Sequence, residues 1–248
     1  MVERAFKLLD LLATSEAGYS LSELARLLGM SKGSVHGLLK TLEGGSVVEM
    51  DSERRYALGP RIYNLTQSYI RGSGLRRYAM PAMRRLAART GETVFLGQVE
   101  PDGVRIIERV EEPGERSALR VSARRGARIH LLAGATGRVV LANWPPARRE
   151  KYLQTQTLPG FTARSITDRD AYLAAVEETA RTGIGMDREE YLTGVNAVAA
   201  AIRGLDNQLI ALVWIVGFSA YFTEEAMVRA GEALTAETRE VSRALGAE

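Results

Sequence analysis

The chain has 248 residues, 46% hydrophobic and 25% charged, with no cysteine and two histidines. At roughly 150 residues per domain this is a globular protein of one large or two modest domains. Zero cysteine excludes disulfides, thiolate metal sites and cysteine nucleophiles, and two histidines argue against a histidine-built centre, so no metal, cofactor or catalytic group is expected. The net charge of +3, from 33 Lys/Arg against 30 Asp/Glu, leans only slightly toward anionic partners. The longest apolar run, Leu209 to Val216, is eight residues, against roughly 20 for a membrane span. The N-terminus mixes charges into its apolar pattern, unlike a signal peptide. A cytoplasmic protein with no membrane partner is expected.

The first sixty residues carry dense local signals. Val2, Ala5, Phe6, Leu9, Leu12 and Ala13 recur at helical spacing and predict an amphipathic helix from Val2 to about Ser15. Ser20-Leu21-Ser22-Glu23 has capping-box spacing and opens a short helix to Leu28, stopped by Gly29. Ser31 is an N-cap for a third helix to about Glu43, with Val35, Leu38, Leu39 and Leu42 inward. Val47 to Met50 and Tyr56 to Leu58 read as two strands around the turn Asp51-Ser52-Glu53-Arg54. Arg61 to about Arg71 is a helix with Ile62, Leu65, Tyr69 and Ile70 on one side. Gly72-Ser73-Gly74 is the expected hinge.

Beyond a helix from Leu75 to Thr90 the pattern turns mixed. Thr93 to Val99 and Val104 to Val110 predict a hairpin, and a third strand is expected near Ala118 to Ser122. Ala133 to Ala142 and Ala147 to Gln154 read as helices. Thr167-Asp168-Arg169-Asp170 opens another, to about Thr182. Strands follow at Ile184 to Arg188, Val195 to Ile202 and Leu209 to Val216, and Thr223 caps a last helix to about Leu245.

Helix, short helix, glycine turn, helix and hairpin form a winged helix-turn-helix layout, whose physics suits DNA. Ser31, Lys32, Gly33 and Ser34 start the third helix, where unpaired N–H groups and the positive dipole end attract phosphate. His36 and Lys40 continue that face, and Arg54 and Arg55 lie at the hairpin tip. Residues 1–71 hold nine Lys/Arg against eight Asp/Glu, so placement, not net charge, carries this reading. The same layout also serves as a protein-interaction module.

Arg4 to Leu12, Leu21 to Gly29, Ser31 to Leu42 and Tyr56 to Pro60 resemble the N-terminal domain of the isocitrate-lyase-regulator (IclR) family. Gly91 to Val94, Ala133 to Arg138, Ile166 to Asp168 and Gly185 to Val195 resemble its C-terminal half. The resemblance spans nearly the whole chain, in order. It implies a bacterial transcription regulator of α+β class. Residues 1–60 would be a winged helix-turn-helix domain, 61–74 a linker helix and hinge, and 75–248 an effector-binding domain of GAF/profilin-like α/β type. The implied partners are double-stranded operator DNA, a small-molecule effector and further copies of the chain, as homo-dimer or tetramer. Similar proteins often carry Arg after the recognition-helix His, where this chain has Gly37, so operator preference does not transfer.

The resemblance also implies an effector cup involving Gly134, Ala135, Asp187, Ala197, Trp214 and Val216. Some similar proteins with small carboxylate ligands have polar residues at the last two positions and Cys at the position of Ala197. Trp, Val and Ala instead predict a larger or aromatic effector, with Asp187 accepting from a ligand donor and Asn196 and His130 as lesser candidates. Simpler readings stand beside these. Trp214 suits a core position, Asp187 a turn cap, and His130 a structural hydrogen bond. Gly134 and Gly137 suit helix packing. Arg116, Arg120, Arg124, Arg125 and Arg128 suit a solvated or subunit face better than a phosphate contact. A competing function, a small-molecule enzyme with an accessory helical domain, would rest on Asp187 with His130 or Glu189. An interaction scaffold is the other alternative.

Overall fold

The computed structural model describes residues 2–15, 17–71, 74–111 and 120–247, with side chains throughout except at 67–71. Two compact units follow one another, Met1–Gly74 and Leu75–Glu248. Gly72 and Ser73 of the expected hinge, Arg116, and the start of the strand expected at 118–122 lie outside the described residues, as do the side chains of Tyr69 and Ile70.

In the first unit, helices α1 (Val2–Ala13), α2 (Leu21–Leu27) and α3 (Lys32–Gly44) pack on a small antiparallel sheet. Its strands are β1 (Tyr19–Ser20), β2 (Val48–Met50) and β3 (Arg55–Leu58), in the order β1-β3-β2, and α4 (Pro60–Arg71) follows. The Ser20 hydroxyl accepts from the Glu23 N–H (3.3 Å) and the Glu23 carboxylate accepts from the Ser20 N–H (2.7 Å), so the capping box closes in both directions. Leu8, Leu12, Leu24, Val35, Leu39, Val48 and Tyr56 form the core.

Two features differ from the local reading. β1, which pairs Tyr19 with Tyr56 and Ser20 with Arg55, is two residues long and too short for alternation to reveal. Helix α1 also presents a different face: Leu8 and Leu12 are buried, whereas Val2 and Phe6 are 71% and 63% exposed. Apolar residues occupy over half the circumference of this helix, so its period does not say which part meets its own core.

The second unit is one six-stranded antiparallel sheet, β6-β5-β4-β9-β8-β7. The strands are β4 (Thr93–Glu100), β5 (Gly103–Val110), β6 (Arg128–His130), β7 (Gly185–Arg188), β8 (Val195–Arg203) and β9 (Leu209–Phe218). Helices α5 (Gly74–Thr90) and α9 (Glu224–Ala244) pack on one face, against Val94, Leu96, Val198, Val213 and Ile215. Helix α6 (Gly134–Ala142) packs on the other, against Ala197, Ala199, Leu212 and Trp214. Helices α7 (Pro146–Thr155) and α8 (Arg169–Thr182) close over α6. The third strand lies later than expected: residues 120–122 are irregular, and β6 pairs with Gly103, Val104 and Arg105. Asp168, not Thr167, caps α8, its carboxylate accepting from the Ala171 N–H at 2.9 Å.

Replacing Ser20 with Ala removes one half of the reciprocal cap. The variant is expected to lose about 1 kcal/mol of stability, read as a lower denaturant midpoint for the N-terminal unit in urea.

Candidate nucleic-acid interface and ligand cavity

Val35 and Leu39 are fully buried, and they fix the rotation of α3. Ser31, Lys32, Gly33, Ser34, His36, Gly37 and Lys40 are then all exposed. Lys32, His36 and Lys40 stand four residues apart and form one stripe. The Ser31 hydroxyl accepts from the Ser34 N–H at 3.2 Å and lies 2.9 Å from the Ser34 hydroxyl. Among the described residues, no atom beyond the chain neighbours and the helix's own backbone lies within 4 Å of a Cβ added at Gly33 or Gly37, so this surface is open to close approach. Lys32, Lys40 and Arg54 have no ion-pair partner among the described residues.

The wing separates its two arginines. The Asp51 carboxylate accepts from the N–H groups of Glu53 (2.9 Å) and Arg55 (2.8 Å), which locks the turn. Arg54, at φ +60°, is exposed on that turn. Arg55 is placed differently from the tip cation expected of it. Its guanidinium donates to the carbonyls of Ala17 and Gly18, both at 2.9 Å, and meets the Glu23 carboxylate at 3.4 Å. As the β1–β3 pairing partner of Ser20, Arg55 braces the start of α2 instead of reaching outward.

On the α6 side of the large sheet lies a cavity of about 100 Å³. Phe95, Ile106, Ile129, Ala135, Val195, Ala197, Trp214 and Val216 form its apolar wall. Val121, Ser122 and Ala123 flank it on one side, Tyr191 and Leu192 on another, and Thr136 and Asp187 add polar groups. Five of the six residues expected in the cup thus meet at one cavity, and Gly134 sits behind it. A Cβ at Gly134 would fall 1.7 Å from an Asp187 carboxylate oxygen, so glycine there lets the carboxyl rest against the start of α6.

Trp214 both fills core and lines the cavity. Its ring stacks on Phe95 (centroids 5.3 Å, planes 19° apart). A Cβ at Gly97 would stand 2.6 Å from it. Phe95 was missed in the sequence, although it is the cross-strand partner of Trp214. A pairing of two distant strands leaves no mark on either alone. Asn196 faces the opposite side of the sheet, its amide donating to the Phe222 carbonyl at 2.8 Å.

Asp187 is 5% exposed. One oxygen accepts from the N–H groups of Glu190 (2.7 Å) and Tyr191 (3.4 Å). Burial pushes its carboxyl up to about 6. The Glu190 carboxylate adds to that rise, against the two backbone donors and the Arg138 charge. Arg138, buried on α6, pairs with Glu190 and donates to the Met186 carbonyl. The two residues that the enzyme reading sets beside Asp187 have other partners. His130 Nδ1 accepts from the Leu132 N–H at 3.0 Å and its ring meets Phe161, while Glu189 turns to Gly194 and Arg164. Two arginines of the basic stretch meet carboxylates: Arg125 pairs with Glu108, and Arg128 with Glu100 and Asp102.

A wing-bearing unit with an exposed recognition helix, followed by an α/β unit that carries a small cavity, is the layout of a DNA-binding transcriptional regulator. Comparison with known proteins makes the assignment specific. Residues 1–52 match the IclR helix-turn-helix domain, and residues 67–243 match the C-terminal domain of the bacterial transcriptional regulator IclR. The chain belongs to the IclR family of transcriptional regulators. It is 32% identical to the glycerol operon regulatory protein of Streptomyces coelicolor, across 98% of this chain and 94% of that one. It is 30% identical to the HTH-type transcriptional regulator BhcR of Paracoccus denitrificans, across 97% and 85%. The crystal structure of the Thermotoga maritima IclR matches with a TM-score of 0.66 and 28% identity, across 99% of this chain and 98% of that one. No helix among the described residues is long and apolar enough to cross a membrane.

The raised Asp187 carboxyl has a definite sign in stability. Because its folded value lies above the ordinary 3.8, the native state holds the proton more tightly than the unfolded chain. The associated stability is present below about pH 4 and is lost as pH rises through about 6. A rise of this size corresponds to about 3 kcal/mol. In Asp187→Asn the fall in stability of the C-terminal unit between these pH values is expected to flatten, as measured by denaturant unfolding at a series of pH values.

Proposed function

We propose that this chain regulates transcription in the cytoplasm as a dimer or larger assembly. Its α3 stripe and Arg54 contact operator DNA, and a compact neutral ligand in the cavity modulates that binding. The observation that carries the ligand class is the pairing of an apolar wall with Asp187. An anionic ligand would meet a second carboxylate in a low-dielectric site, whereas an amide, amine or hydroxyl donor satisfies it. About 100 Å³ suits seating one small ring against the stacked Trp214 and Phe95. This narrows the sequence expectation of a larger or aromatic effector. The exposed Val2 and Phe6 on α1 support pairing through the DNA-binding domains.

Three measurements test this reading. Lys32→Ala and Lys40→Ala are each expected to lower affinity for DNA upstream of the chain's own gene and to reduce the salt slope by about one, in anisotropy titrations over a range of salt. Unchanged slopes would remove the stripe from the interface. With Trp144→Phe leaving Trp214 as the one tryptophan, benzamide and benzyl alcohol are expected to raise the melting temperature and change the fluorescence more than benzoate at neutral pH. The gap should narrow below about pH 6 as Asp187 takes up its proton. If none of the three compounds acts, the ligand class is wrong. Phe6→Glu is expected to shift the sedimentation coefficient toward the monomer.

A further inference from the structure

Glu108 is 1% exposed, yet lies at one end of a strand whose alternation would send it elsewhere. The β4–β5 register explains its position. Leu96 pairs with Glu108 but Gly97 pairs with Ile106, so Ile107 is an extra residue in the ladder. Residues paired across strands share a face. Ile106, opposite Gly97, therefore faces the cavity, which it lines. Glu108, opposite Leu96, is turned to the side where α5 packs. Without the bulge both side chains would share one face.

Two arginines from separate elements meet this one carboxylate. Arg76, in the first turn of α5, reaches it at 2.6 Å, and Arg125 pairs with its other oxygen. The Arg109 N–H also donates to it, at 3.0 Å. Arg125 follows closely on the cavity-lining residues Val121, Ser122 and Ala123. Its segment is tied to Ile106 at both backbone groups: the Gly126 N–H donates to the Ile106 carbonyl (2.7 Å) and the Ala127 carbonyl accepts from the Ile106 N–H (2.9 Å). Both guanidiniums are about half exposed and are easily displaced, while the buried carboxylate cannot go unpaired without a large desolvation cost. A shift of the cavity wall that draws Arg125 away leaves the buried carboxylate under-neutralised, which destabilises its place beneath α5 and with it the contact to Arg76.

We propose that Glu108 is a positioning residue that couples the cavity wall at 121–127 to the start of α5, the helix that continues the chain from the DNA-binding unit. Ligand seated against Val121 and Ala123 thereby biases the setting of α5 and, along the chain, operator binding. This proposal rests on the effector reading above for its trigger, but the coupling itself is measurable without any ligand.

The test is amide hydrogen exchange on the full-length protein, resolved by residue. Arg125→Ala is expected to speed exchange at Tyr78, Ala79 and Met80 in α5 by about fivefold or more. Arg76→Ala is expected to speed it at Gly126 by a similar factor, since coupling is reciprocal. Glu108→Gln, which keeps volume, should do both, and Arg125→Lys should restore most of the protection. Arg128→Ala, which removes a neighbouring arginine paired elsewhere, should leave α5 unchanged. If each substitution loosens only its own segment, the coupling is overturned. In the same variants, affinity for DNA upstream of the gene should change by about fivefold with the DNA-contacting residues intact. Unchanged affinity overturns the transmission to DNA. A wild-type cavity that takes none of the neutral aromatic compounds would count against the effector reading, while the exchange data would still decide the coupling.

Discussion

Period-two alternation along β4, β8 and β9, with both faces of the sheet covered, is the constraint from which the C-terminal unit follows. Along β9, Ala211, Val213 and Ile215 pack beneath α5 and α9, while Leu212, Trp214 and Val216 face α6. A sheet buried on both sides has no solvent face to forgive a slip of register, because moving one strand by a single residue would exchange the two sets. Once the register is set, Trp214 must lie beside Phe95 and over Gly97, and Ala197 leaves the space that becomes the cavity. The cavity is what remains after that face is packed, which is why its walls are apolar and its volume is small.

Polar chemistry enters that space from one corner. Asp187, Glu190 and Arg138 bring two carboxylates and one guanidinium into a region almost closed to water. Such a cluster is a weak source of net stability, because the cost of desolvating charges offsets much of their attraction. It is better suited to holding one geometry. Arg138 ties α6 to β7 through the Met186 carbonyl and to the loop after it through Glu190, and that loop carries Tyr191 and Leu192 to the cavity. Burial is also what raises the Asp187 carboxyl to about 6, so the same packing that shapes the cavity sets the charge of its polar corner.

Most of the N-terminal unit was legible because its signals are local. A cap, a glycine stop and an i, i+4 apolar pair all act within a few residues of one another. The capping box at Ser20 and the inward Val35 and Leu39 are found where the spacing places them. What escaped was decided by contacts between distant segments. Strand β1 exists only because Tyr56 and Arg55 lie beside it. Arg55 turns inward because the carbonyls of Ala17 and Gly18 converge on it. The exposed side of α1 depends on where α2 and β3 stop covering it. In the second unit, five of the six residues of the expected cup line one cavity. Phe95, Ile106 and Tyr191 join them only through strand pairing and loop placement.

Glu108 draws the same line most sharply. In the sequence it is one glutamate in a strand of mixed residues. One extra residue in the β4–β5 ladder turns it from the cavity side to the helix side, where Arg76 and Arg125 enclose it. The amino-acid order by itself determined most of the helix spans and the winged-helix layout, which follow from short-range periodicity and capping, while the family was legible as a resemblance of motifs spread along the chain. The tertiary structure alone decided which arginines reach outward, how much room a ligand has, and which carboxylates lose their water. Each of those depends on the register and burial that long-range packing imposes.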